Sequence, residues 1–172
     1  MTPKQARDRG RMVTTVFIVF GLIGWWFSPD WIQSLPLALM YAMLMLQTWC
    51  SLPLFFQLIN ENDIRQRLID PMIGIAYGVL AFGIRDSFFF FFVWSVFFAM
   101  TVLKYSMLVG SFPNTTLLRR KLMANALGVS LGLLSLILVG YDSRFAWIGT
   151  GLFAGACVQY LVVRPLYVRD KV

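Results

Sequence analysis

The chain has 172 residues, of which 59% are hydrophobic, 16% aromatic and only 13% charged, and its mean hydropathy is +0.71. A soluble domain carries about 25% charged residues, so this composition excludes a disordered chain, a collagen-like repeat and an ordinary soluble enzyme, and predicts one integral membrane domain over 1–172. The formal net charge of +7 sits in short basic clusters between apolar runs, which points to the lipid bilayer as partner and away from nucleic acid.

A helix needs about 20 apolar residues to cross a hydrocarbon core of about 30 Å. Six runs approach that length, at about 12–27, 37–59, 68–84, 88–109, 122–140 and 145–163. The predicted fold class is therefore all-α, a polytopic bundle of six transmembrane helices with short connections. The first run follows a basic head, as in a secretory signal, but ends in Trp25, Trp26 and Phe27 where a cleavage site needs small residues. It reads as an uncleaved first helix. Trp25, Trp26, Trp31 and Trp147 fall near the predicted outer boundary, where indole rings favour the headgroup level.

The second run carries Gln47, Trp49 and Cys50 and leads into Asn60-Glu61-Asn62-Asp63, two acids beside Arg65 and Arg67 that read as solvated ion pairs. Asp70 precedes Pro71, the pattern of an N-cap opening the third helix. Helix packing in lipid depends on small residues. Gly74 and Gly78 in the third run, Ala124, Gly128 and Gly132 in the fifth, and Gly151 and Gly155 in the sixth recur at four-residue spacing, so these three helices are expected to approach closely. The fourth run has no such spacing and instead carries Phe88 to Phe92, Trp94, Phe97 and Phe98, which predicts a peripheral helix facing lipid or a partner subunit. Asn125 in the fifth run is placed to hydrogen-bond across helices.

Lysine and arginine bias gives the orientation. With an even number of crossings, thirteen of the fifteen basic residues fall on the side of both termini, against Arg85 and Arg144 on the other. Both termini are expected in the cytoplasm of a cell with a bacterial-type inner membrane. The three turns on the far side carry Asp30, Asp86 and Asp142, each 56 residues after the one before. A basic residue precedes each by 21 positions (Arg9, Arg65, Lys121), and a long polar residue follows in the even helix: Gln47, Lys104 and Gln159. The spacing predicts three consecutive helical hairpins, with Gln47, Lys104 and Gln159 at one depth as a candidate polar or solute site.

No histidine occurs, which removes His-ligated haem, the HExxH zinc motif and the Ser-His-Asp triad. Cys50 and Cys157 lie in apolar runs without a CxxC spacing and read as reduced structural thiols. No catalytic residue, metal site or cofactor is predicted. The expected function is a non-catalytic membrane subunit that assembles with, anchors or regulates other membrane proteins, or self-associates. The alternative is a channel or transporter using Gln47, Lys104 and Gln159. A lipid-modifying enzyme using Glu61, Asp63 or Asp70 ranks third.

Overall fold

The computed structural model describes residues 2–58, 64–109 and 115–163. These residues are all-helical and form α1 Pro3–Trp26, α2 Trp31–Leu58, α3 Ile64–Gly83, α4 Ser87–Met107, α5 Thr115–Tyr141 and α6 Ala146–Val158. A 3-10 turn at Ser143–Phe145 leads into α6, and a π turn at Gln159–Val163 continues it. Four segments are long and apolar enough to cross a membrane: Trp31–Phe56 of α2, α4, α5, and Ser143–Val163. The apolar part of α3, Leu68–Gly83, is shorter. Of the six expected spans, four thus meet the length criterion in full.

Helices α1, α2 and α4 start earlier than the apolar runs, with polar residues at their caps. Thr2 and Gln5 form a capping box at α1, with Thr2 N–H donating to Gln5 Oε1 at 2.9 Å and Gln5 N–H to Thr2 Oγ1 at 3.3 Å. Asp30 Oδ1 accepts from the backbone N–H groups of Ile32 at 2.9 Å and Gln33 at 3.0 Å. Asp86 Oδ1 accepts from Phe89 N–H at 2.6 Å, and Asp142 Oδ1 from Arg144 N–H at 2.8 Å. The three aspartates spaced by 56 residues therefore each satisfy orphan donors at the start of the next helical element. Asp70 does no such work. Because α3 begins at Ile64 and runs through Pro71, Asp70 lies inside the helix and not at its cap.

The turns bearing Asp30, Asp86 and Ser143 gather around one polar depression, while Gly10 of α1 faces Pro53 of α2 at the opposite end. Consecutive helices consequently run antiparallel. Helix α1 packs on α2 and α3, α3 on α4, α4 most extensively on α5, and α6 on α2 and α5. The expected mutual approach of the third, fifth and sixth helices is realised only between α5 and α6.

Helix α4 is central, which corrects the peripheral assignment. Phe90, Phe91, Trp94, Phe97 and Phe98 are buried, and only Phe88, Phe89 and Phe92 of the phenylalanine run face outwards. Its rings fill the space opposite the glycines of α5. A Cβ on Gly128 would lie 2.6 and 2.7 Å from ring carbons of Phe98, and one on Gly132 would lie 2.7 Å from Trp94 Cδ1. Trp94 adds a hydrogen bond from Nε1 to the Gly128 carbonyl at 3.2 Å. The contacts expected at Gly78, Gly151 and Gly155 are not formed among the described residues, since a Cβ there meets nothing within 4 Å, and at Gly74 it would touch only Phe17 at 3.9 Å. Gly21, Gly24 and Gly149 are close approaches that periodicity missed, against the Tyr41 ring, the Ala81 backbone and Ser135 Oγ.

Candidate functional site

At mid-depth the core is a row of aromatic rings crossing four helices. Phe17 of α1 stacks on Tyr77 of α3 with centroids 4.8 Å apart, Tyr77 meets Phe97 of α4 edge-on at 4.6 Å, and Phe97 meets Phe98 at 5.1 Å. Trp94 lies 4.9 Å from Phe98 and 4.7 Å from Phe153 of α6. Such edge-on and tilted pairs are the arrangements that ring quadrupoles favour. They join α1, α3, α4 and α6 through one run of ring contacts.

Below this layer, towards the basic end, lies a chamber of about 70 Å³ between α2, α3, α4 and α5. Its volume matches about two waters at about 30 Å³ each. Its walls carry Gln47, Thr48 and Ser51 from α2, Tyr77 from α3, Thr101 and Lys104 from α4, and Lys121 and Asn125 from α5. Most of these groups are paired. The Thr48 and Tyr77 hydroxyls share a hydrogen bond of 2.7 Å, and Thr101 Oγ1 donates to the Phe98 carbonyl at 2.8 Å. Lys104 Nζ forms an ion pair with Asp70 of α3, the lysine side chain 11% exposed and the aspartate 43%. The aspartate is thus the more exposed partner of the pair. The exception is Asn125, 3% exposed, whose Nδ2 has no hydrogen-bond partner among the described residues.

The expected triad is only partly assembled. Gln47 and Lys104 line the same chamber. Gln159, in the π turn, is exposed and does not line it. Instead Gln47 donates from Nε2 to Cys157 Sγ at 3.2 Å, a weak acceptor. Both cysteines are free thiols, Cys157 buried and Cys50 exposed on α2, which places only one of them in the interior. Glu61 and Asp63 lie outside the described residues, as do the side chains of Arg65 and Arg67. Among the described residues no group of three or more His, Cys, Asp or Glu is arranged to hold a metal ion.

Two lateral grooves open on the outer surface. One, of about 570 Å³, runs between α1 and α2 and is walled by apolar residues with Trp25 and Trp49 towards its two ends. The other, of about 320 Å³, lies between α5 and α6. It has Gln47, Phe98 and Asn125 in common with the polar chamber. Sequence reasoning reached Asn125 as an interhelical donor and Lys104 as an intramembrane cation. It read Lys121 only as a basic residue of the 56-residue period, and it missed Thr48, Tyr77 and Thr101, whose hydroxyls carry no spacing signal of their own.

The chain matches no protein-family model, no curated protein and no solved structure.

Proposed function

We propose that the protein is a non-catalytic subunit of a bacterial-type inner membrane, crossing it six times with both termini in the cytoplasm and assembling with, anchoring or regulating other membrane proteins. The observation that carries this reading is the aromatic row from Phe17 to Phe153, which fills the contacts among α1, α3, α4 and α6 with packed rings. Helices α1 and α3 are short in apolar residues, but each lies antiparallel along a longer neighbour. Six crossings follow if their basic ends reach the headgroups by snorkelling. Arg9 and Arg11 at that end lie over Phe56 and Trp49, with 5.4 and 5.6 Å to the ring centroids, a placement suited to the interface. The 56-residue period then reflects three hairpins whose far turns share one capping solution.

Purification from native membranes in mild detergent, followed by native mass spectrometry, tests the subunit reading. A complex of defined stoichiometry, with a second membrane protein or a second copy, is the expected result. A monomer that moves solute after reconstitution would overturn it. The carrier reading is favoured by one feature, the chamber holding Gln47 and Lys104, and its test is Lys104→Met in a flux assay: flux lost on substitution makes the protein a transporter.

A further inference from the structure

Among the described residues, both lateral grooves border an orphaned buried donor, Trp25 Nε1 in the α1–α2 groove and Asn125 Nδ2 in the α5–α6 groove, and Gln47 adds a second amide to the α5–α6 groove. Its walls are apolar, with Leu127, Leu131 and Leu134 on α5 facing Leu152 and Phe153 on α6. From Ala124 to Leu134 it extends about 15 Å at 1.5 Å per residue. At its basic end it reaches Asn125, whose buried Nδ2 is an unused donor. A buried amide hydrogen without an acceptor is costly, so the site calls for an acceptor from outside the chain. Water alone would satisfy the amide, whereas the apolar wall beside it also suits an acyl chain.

Charge selects the occupant further. Arg120 is exposed and precedes Ala124, Leu127, Leu131 and Leu134 at helical offsets of 4, 7, 11 and 14 residues, which places it on the groove stripe of α5. It stands about 8 Å along the axis from Asn125. The π turn at Gln159–Val163 puts Tyr160 on the opposite wall at the same end, and π geometry within α-helices is frequent at functional sites.

We infer that this groove binds an anionic phospholipid of the leaflet at the basic end. One acyl chain lies along the leucine wall, an ester or phosphate oxygen accepts from Asn125 Nδ2, and the headgroup phosphate meets the Arg120 guanidinium. The inference rests on the membrane reading above. It explains three observations together: an apolar slot, an orphaned amide at its polar end, and a guanidinium one headgroup further out.

The test uses the full-length protein, delipidated in detergent, titrated with phosphatidylglycerol, with phosphatidylcholine of the same chains, and with soluble glycerol 3-phosphate, and read by native mass spectrometry. Phosphatidylglycerol is expected to bind at least about fivefold tighter than phosphatidylcholine, the ratio for one basic residue at a membrane surface. Arg120→Gln is expected to abolish that preference, and Asn125→Leu to weaken both lipids. Ser130→Trp, an exposed groove position that leaves the core untouched, is expected to block both lipids and keeps the test decisive if Asn125→Leu does not fold. Equal binding of the two lipids, full lipid binding by Ser130→Trp, or competition by glycerol 3-phosphate at the lipid's own concentration would each overturn the site. Resistance to alkaline carbonate extraction is measured in parallel. Protein that stays in the membrane but shows no lipid preference refutes the groove alone, whereas protein released by carbonate refutes the membrane reading on which it rests.

Discussion

Replacing Gly128 by alanine adds one methyl group where α5 meets α4, and the structure gives that methyl nowhere to go. It would sit 2.6 and 2.7 Å from Phe98 ring carbons, against an ordinary carbon separation of about 3.5–4.0 Å. The phenylalanine is braced by Trp94, Phe97 and Phe153, with centroids at 4.9, 5.1 and 6.5 Å, and can yield only towards the groove and the chamber that it lines. Either the ring gives way there or the helices part by about 1 Å, and in the second case the Trp94 bond to the Gly128 carbonyl lengthens with them. Overpacking of this kind costs about 1–3 kcal/mol, which for a chain of this length lowers the thermal midpoint by roughly 2–12 °C. Gly78→Ala is the matched control: its Cβ meets nothing within 4 Å, so helix propensity alone acts and raises stability by up to about 1 kcal/mol. The assay is thermal unfolding of both variants in the same detergent. Equal midpoints for Gly128→Ala and Gly78→Ala would refute the packing argument.

Further expectations follow from the caps and the ion pair. Asp86→Ala removes the acceptor of the Phe89 N–H and is expected to cost about 1 kcal/mol; an unchanged thermal midpoint would show that the cap contributes nothing. Asp70→Asn leaves the Lys104 ammonium without its carboxylate, with an expected loss of about 1–3 kcal/mol, below that of a fully buried pair because Asp70 is 43% exposed. Lys104→Met is expected to cost less than Asp70→Asn, because the carboxylate left behind reaches a polar environment, and the double variant should recover most of the loss. Additive losses in that cycle would mean the two groups do not interact.

Hydropathy located all six helices, because apolar runs broken by charges leave few alternatives. It could not tell which face of an aromatic helix is inward. In lipid, the surface and the core are equally apolar, so Phe88 to Phe92 carry no burial signal by themselves. What decides the matter is complementarity: the gaps at Gly128 and Gly132 receive Phe98 and Trp94, and that pairing joins residues about 30–40 apart in sequence. The same separation hid the partner of Lys104. Asp70 before Pro71 has the local form of a cap, and only tertiary packing shows that the helix has already begun at Ile64 and that the carboxylate is available to α4. The spacing of Asp30, Asp86 and Asp142 was legible because capping is a local interaction. The exposure of Gln159 was not, because packing decides which face of α6 turns inward, and Cys157 takes the interior position beside Gln47.

The membrane topology is the claim on which the rest depends, and single-cysteine accessibility tests it most directly. In a background with Cys50 and Cys157 replaced, Pro29→Cys, Arg85→Cys and Ser143→Cys place exposed thiols beside the three capping aspartates without removing the caps. An impermeant maleimide added to intact cells of a bacterial host is expected to label all three, and a cysteine at Lys4 only after the membrane is opened. Labelling of any of the three turns exclusively from the side of Lys4 would contradict six crossings.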